Sequence, residues 1–306
     1  MNRPRPADRA HPWLPALLAA LALPSALPAG GSPLLRVTDD AGSTVTLQRP
    51  ATRIVSLAPS TTEQLFAIGA GSRVVGTSAS SDYPEAARSI PVVGGIDGLD
   101  LERIASLHPD LVVAWGSGYP PATQDALRRL GATVYVSEPT SLEAIASTLE
   151  RLGVLTGSAQ APAQAESVRA AVRALRARYA ERRPVRAFYQ IWPQPLMTLS
   201  GQHIVSEALA LCGARNVFEG LKALAPTVSP EAVIAADPQI ILTDGPAGID
   251  RGELDFWKRY PFISAVAHGQ LVTLDADRMA RPTTRMLPEV ARMCDRIEAA
   301  RAASER

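Results

Sequence analysis

A chain of 306 residues, 46% of them hydrophobic, has enough material for two domains with real cores and is not the composition of a disordered polymer. Its 31 basic and 30 acidic side chains leave a formal charge of +1, so neither nucleic acid nor an anionic membrane surface is favoured as a partner.

At the N-terminus, Arg3, Arg5 and Arg9 precede an apolar stretch from Trp13 to Leu23, and the small residues Ser25, Ala26, Ala29 and Gly30 follow. This reads as a signal peptide over residues 1–31, cleaved on export. The stretch is too short for a stable bilayer span, and Pro15, Pro24 and Pro28 would interrupt a permanent helix there. No cysteine near the cleavage region offers a lipid attachment, so a free periplasmic protein is expected. Cys212 and Cys294 are the chain's two cysteines, and in an oxidising compartment they are expected to pair. In the chain-entropy model that closure stabilises the fold by roughly 4–5 kcal/mol.

From Arg53 short β-branched runs alternate with helical stretches: Ile54 to Leu57, Thr61 to Ile68, Val74 and Val75, Leu101 to Leu107, then Leu111 to Ala114. The alternation continues through Ala122 to Leu130, Val134 to Val136 and Leu142 to Leu152, with Gly131 and Gly153 as expected helix caps. Parallel strands covered by helices follow, an α/β lobe over residues 32–157. Residues 158–184 then read as one long helix. Val168, Ala171, Val172, Leu175 and Tyr179 recur at helical spacing, and Pro162 and Pro184 bound a rod of roughly 31 Å. After Pro184 the first theme returns over residues 185–306, with strands at Val185 to Gln190, Met197 to Leu199 and Ile240 to Leu242, and a helix from His203 to Leu211 capped by Gly213.

The expected fold class is therefore α/β: two Rossmann-like lobes joined by a single long helix, with a ligand cleft between them. A weak internal duplication agrees. Glu102 and Pro109 before Leu111-Val112-Val113 match Glu231 and Pro238 before Ile240-Ile241-Leu242. Likewise Pro59-Ser60-Thr61 and Ser200-Gly201-Gln202 each place a short turn between a strand and a helix.

Catalytic signatures are absent from the sequence: there is no G-x-S-x-G, no Walker sequence, no G-x-G-x-x-G after a strand and no H-E-x-x-H. His11, His108, His203 and His268 are scattered, so no metal site and no resident cofactor are expected, and no enzyme activity. Parallel sheets hold ligands beyond the carboxyl ends of their strands. There Trp115 is followed by Gly116, Ser117 and Gly118, and Trp192 follows the strand ending at Gln190. Two indoles from opposite lobes would sandwich a large planar ligand, with His203 a further candidate contact. Trp257 and Phe262 read as core.

These residues resemble the periplasmic binding proteins for cobalamin, within the wider group that carries haem and iron-siderophores. The likeness runs from about Arg53 to Ile297 and rests on Ile54-Val55-Ser56-Leu57-Ala58-Pro59-Ser60-Thr61-Thr62-Glu63, Ser81-Asp82-Tyr83-Pro84, the segment from Leu101 to Trp115, and Leu211-Cys212-Gly213-Ala214-Arg215-Asn216-Val217-Phe218. The resemblance implies a receptor of an ABC importer that captures cobalamin or another corrinoid and docks, as a monomer, on a membrane permease with its ATPase. It also implies the Cys212 to Cys294 bridge. Glu102 and Glu231 match carboxylates that dock onto permease arginines. Ligand contacts are expected at Pro59, Ser60, Ser80, Tyr83, Ile96, Trp115, Gly116, Trp192, Ala225, Asp277 and Arg281. Where cobalamin binders carry aromatics this chain has Ser80, Ile96 and Ala225, while Trp115, Asp277 and Arg281 stand at matching places. The alternative ligand is haem or a ferric siderophore. Two other classes stay open at this point: an enzyme on a related two-lobed fold, and a structural partner that has lost its ligand.

Overall fold

The computed structural model describes residues 1, 2 and 34–305, so the expected signal peptide, apart from its first two positions, lies outside the described residues. A hairpin of β1 (Leu35–Thr38) and β2 (Thr44–Leu47) leads into β3 (Ile54–Ser56), α1 (Pro59–Ala67) and β4 (Val74–Thr77). A small hairpin of β5 (Gly94–Gly95) and β6 (Gly98–Leu99) precedes α2 (Leu101–Ser106), β7 (Leu111–Trp115), α3 (Pro121–Arg129), β8 (Thr133–Ser137) and α4 (Leu142–Thr156). The long helix is α5 (Ala161–Tyr179), 19 residues or about 28 Å. Beyond it come β9 (Val185–Gln190), the hairpin of β10 (Trp192–Pro193) and β11 (Leu196–Met197), α6 (Ile204–Leu211), β12 (Ala214–Asn216) and α7 (Pro230–Ala236). The chain closes with β13 (Ile240–Gly245), α8 (Ser264–Ala267), β14 (Leu271–Asp275), α9 (Ala276–Met279) and α10 (Met286–Ala303).

Among the described residues, two four-stranded sheets carry the lobes, in the orders β4-β3-β7-β8 and β12-β9-β13-β14. Every neighbouring pair in them is parallel. Counted within each lobe, the order is second, first, third, fourth strand both times, so the duplication read from Glu102 and Glu231 is a repeat of topology. Each sheet is buried on both faces, as parallel sheets are. Alternation along β7 sends Leu111 and Val113 to one face and Val112 and Ala114 to the other. Along β13, Ile240 and Leu242 turn away from Ile241 in the same manner.

The inner faces of both sheets share one core. Leu111 and Tyr135 from the first lobe, Leu149 of α4, Val168 of α5, Val205 of α6, and Tyr189, Ile240 and Met293 from the second form a single buried cluster. A disulfide between Cys212, just after α6, and Cys294 of α10 adds a covalent tie within it.

Local differences from the sequence reading have physical causes. Gly153 does not cap α4. The helix runs through it to Thr156, and Gly157, at φ +64°, makes the left-handed turn. Gly153 is small because α5 crosses there: a Cβ on it would lie 2.3 Å from the Cβ of Ala161. Trp257 is buried, but Phe262 is exposed and is not core.

Candidate functional site

Both lobes turn the carboxyl ends of their strands toward one cleft of about 540 Å³, within the range of small-molecule sites. Its first wall is the turn after β3. Ser56, Thr61 and Thr62 are buried and bonded hydroxyl to hydroxyl, Ser56 to Thr61 at 2.7 Å and Thr62 to Ser56 at 2.8 Å. The Tyr119 hydroxyl donates to the Leu57 carbonyl at 3.0 Å. These bonds fix the backbone that presents Pro59 and Ser60 to the cleft.

Trp115, at the end of β7, supplies the aromatic surface of this wall and is 37% exposed. Its neighbours show why the segment reads Trp-Gly-Ser-Gly. A Cβ on Gly118 would lie 2.2 Å from the indole, and one on Gly116 would lie 2.8 Å from Glu138 Oε2. The glycines therefore make room for protein side chains. Glu138, beyond β8, accepts the Ser117 N–H at 2.6 Å and lines the cleft.

The second wall repeats the plan. Asn216 donates from Nδ2 to the Leu199 carbonyl and to Ser206 Oγ, and Ser206 donates to the Ser200 carbonyl, locking the turn before α6. His203 caps that helix, its Nδ1 accepting the Val205 N–H at 3.1 Å. Burial pushes the imidazole pKa below its ordinary value, with the Glu138 charge opposing. A neutral ring whose Nδ1 lone pair is occupied carries its proton on Nε2, so His203 presents a donor and has no lone pair there for a metal. Tyr189 of β9 and Asp244 of β13 complete this wall. Burial raises the Asp244 pKa, with the Glu253 charge adding to the effect.

Arg281 also lines the cleft, but it is committed elsewhere. Its Nη1 lies 2.9 Å from Glu63 and 3.1 Å from Asp82, and its Nη2 lies 2.9 Å from Asp277. The guanidinium is 13% exposed. Burial opposes its charge, yet the hydrogen bonds to Glu63 and Asp82 hold its pKa above the ordinary value. Glu63, from α1, is itself 2% exposed and also accepts from Arg285 at 2.8 Å and from the Thr283 hydroxyl at 2.9 Å. Nearby, Gln64 donates to the Pro282 carbonyl at 2.8 Å.

Of the ligand contacts expected from sequence, the structure brings Pro59, Ser60, Trp115, Ala225 and Arg281 to the cleft lining. Asp277 stands behind Arg281 as its partner. Tyr83 lies under the Arg285 guanidinium, 3.8 Å from ring centre to Cζ, and Ser80 lines a separate depression. Ile96 is exposed in the turn of the β5–β6 hairpin, and Gly116 packs on Glu138. The facing pair of indoles is corrected. Trp192 is 58% exposed and donates its Nε1–H to the Gln194 carbonyl at 3.0 Å, and the cleft receives the adjacent Ile191 instead. Ile191 is the bend between β9 and β10, so the chain changes direction just before the indole.

Sequence reading missed Glu138, Tyr189 and Asp244. Glu138 follows β8, and Tyr189 and Asp244 are the last but one residues of β9 and β13, so nearness to a carboxyl strand end is the signal that could have found them. A second cavity of about 380 Å³ lies between α5 and α10, away from the strand ends, and carries no charged side chain. Among the described residues no group of three or more His, Cys, Asp or Glu is placed to hold a metal. Nor is any described helix long and apolar enough to cross a membrane.

Comparison with known proteins agrees with this geometry. The family model described as periplasmic binding protein matches residues 54–278. The chain is 37% identical over 253 residues to a vitamin B12-binding protein of Vibrio cholerae, covering 82% of this chain and 91% of that one. It is 37% identical over 248 residues to the Yersinia pestis protein of the same name, covering 81% and 86%. Among solved structures, the periplasmic vitamin B12 binding protein of Vibrio cholerae superposes with a TM-score of 0.75 at 36% identity, over 82% of this chain and 98% of that one. The periplasmic heme binding protein of Vibrio cholerae shares the fold at 20% identity and a TM-score of 0.70, covering 80% and 98%. The sequence match and the two-lobed geometry agree: the chain belongs to the periplasmic binding protein family.

Proposed function

We propose that the protein captures cobalamin or a related corrinoid in the periplasm and delivers it to the permease of an ABC importer. The observation that carries this reading is the chemistry of the cleft. Trp115, Ile191, Leu224 and Met279 offer apolar area, while Glu138, Asp244 and the His203 N–H offer hydrogen bonds. Arg281 is already held by three carboxylates and is not free to pair with an acidic ligand. Such a lining suits a large macrocycle fringed with neutral amides. Haem propionates or an anionic siderophore would lie beside Glu138 and Asp244, and among the described lining residues the guanidinium of Arg281 is already paired. The names of the relatives at 37% identity support the same choice.

Binding is the whole chemistry in this reading, with no resident cofactor. The protein works as a soluble monomer released by a signal peptidase. Glu102 and Glu231 dock it on the permease. Both are exposed in the first turn of the helix that precedes the third strand of its lobe, and Asp100 and Ser229 cap those helices alike. Hydrogen bonds from its own N–H and the Ser229 hydroxyl hold the Glu231 carboxyl below the usual carboxylate range. Paired arginine to carboxylate contacts at the two ends set orientation rather than ligand affinity.

Calorimetric titration with cyanocobalamin, dicyanocobinamide, haemin and ferric siderophores tests the assignment. Saturable binding of a corrinoid is expected. Binding of haemin with no response to either corrinoid would replace this reading with the haem alternative.

A further inference from the structure

Tyr189 is 1% exposed, and among the described residues nothing hydrogen-bonds to its hydroxyl. A buried hydroxyl without a partner is costly, so one at the wall of a ligand cleft points to a group that arrives with the ligand. Its surroundings say what kind of group. Tyr189 pairs across β9 and β13 with Leu242, and Asp244, two residues further along β13, shares that face of the sheet. Both side chains line the same wall of the cleft. The Asp244 carboxyl has no side-chain partner among the hydrogen bonds and ion pairs of the described residues, and Glu253 is the charged neighbour that disturbs it. Glu253 Oε2 is likewise buried without a partner.

Resting on the corrinoid reading above, we infer that Tyr189 and Asp244 form a subsite for one peripheral primary carboxamide of the ligand, and that this subsite rejects the corresponding carboxylate. The amide matches both groups: its NH₂ donates to the Asp244 carboxylate, and its carbonyl accepts from the Tyr189 hydroxyl. A carboxylate keeps the acceptor and loses the donor. It would also sit buried beside Asp244 and Glu253, while Arg281 of the described lining is paired with Glu63, Asp82 and Asp277. Burial reinforces the match on the protein side, since it keeps the Tyr189 pKa far above its ordinary value and the hydroxyl therefore a donor. Unlike the stacking surface of Trp115, which takes any flat apolar ring, this pair reads a single functional group at the periphery.

The test uses the full mature chain with Tyr189→Phe and Asp244→Asn, titrated against cyanocobalamin and against its separated monocarboxylic acids, made by mild acid hydrolysis of the side-chain amides. Wild type is expected to bind one of the acids at least about tenfold more weakly than the parent, the cost of an unpaired buried charge. Tyr189→Phe should weaken binding of the parent about five- to tenfold while raising the melting temperature of the free protein, since it removes an unpaired hydroxyl. Asp244→Asn should narrow the gap between parent and that acid to about threefold or less. If wild type binds the parent and both variants match it in affinity and in discrimination, the subsite is wrong and Tyr189 is only a packing flaw. If wild type binds no corrinoid at all, the functional reading fails and takes this inference with it.

Discussion

Glu63 of the first lobe and Arg281 of the second lie 2.9 Å apart although 218 residues separate them in sequence. Arg285 and Thr283 close on the same carboxylate, so one buried anion collects the second lobe's polar contacts beside the cleft. Removing it takes from Arg285 its carboxylate partner among the described residues and leaves Arg281 with Asp82 and Asp277 alone. Glu63→Ala should cost about 3–5 kcal/mol of stability, as breaking a buried pair from one side does. Denaturant unfolding checks this, and a loss below about 1 kcal/mol would mean that water screens the cluster.

Glu102 and Glu231 touch neither the cleft nor that cluster. Replacing both with Ala should leave the corrinoid dissociation constant within about twofold while abolishing uptake by cells, because rim charges set orientation and encounter. A matching fall in affinity in calorimetry would remove the docking role.

The Cys212 and Cys294 sulfurs are buried. Ellman's reagent should find no thiol in the native protein and two after unfolding with a reductant. The Cys212→Ala, Cys294→Ala double variant should lose about 2–5 kcal/mol in guanidinium titrations. An unchanged midpoint would show that the core alone sets the stability.

His203 makes stability depend on pH with a definite sign. Burial holds its folded pKa below the ordinary 6.5, so the unfolded chain binds the proton more tightly. The cap that Nδ1 gives to Val205 is therefore intact above about pH 6.5 and is lost as pH falls through the folded pKa. His203→Asn keeps a capping acceptor without the titration. Its unfolding free energy should fall less than that of wild type between pH 7.5 and 5.5, and parallel curves would exclude His203 as the source.

Gly118→Ala puts a methyl into the Trp115 ring, 2.2 Å from its Cε3. The indole must leave its place against the backbone. We expect a shifted tryptophan emission maximum and weaker ligand binding, with the second lobe's disulfide undisturbed. An unaltered spectrum would mean that the ring has room the structure does not show.

Much of this architecture is legible in the sequence because parallel strands buried on both faces write unbroken apolar runs. Leu111 to Ala114 and Ile240 to Leu242 are such runs, and the positions of Glu102 and Glu231 expose the repeat. Several of the elements that were missed have weak local pattern. β5 and β6 are two residues each, β12 is three, and α10 carries its arginines among buried positions. The site was half legible. Trp115 and Arg281 stand out as residue types, but that Arg281 is already occupied depends on Glu63 and Asp82, whose approach no local pattern encodes. Trp192 misled because aromatic character says nothing about which way a ring leaves the chain after the bend at Ile191.

The single buried cluster that runs from Leu111 through α5 to Ile240 bears on how the molecule can be taken apart. Cut between α5 and β9, either half would turn a broad oily face to the solvent and would clump rather than fold. Heating should accordingly give one calorimetric peak, and limited proteolysis should release no lasting half-molecule. The two sheets repeat one plan, but a core held in common is expected to make them melt as one object.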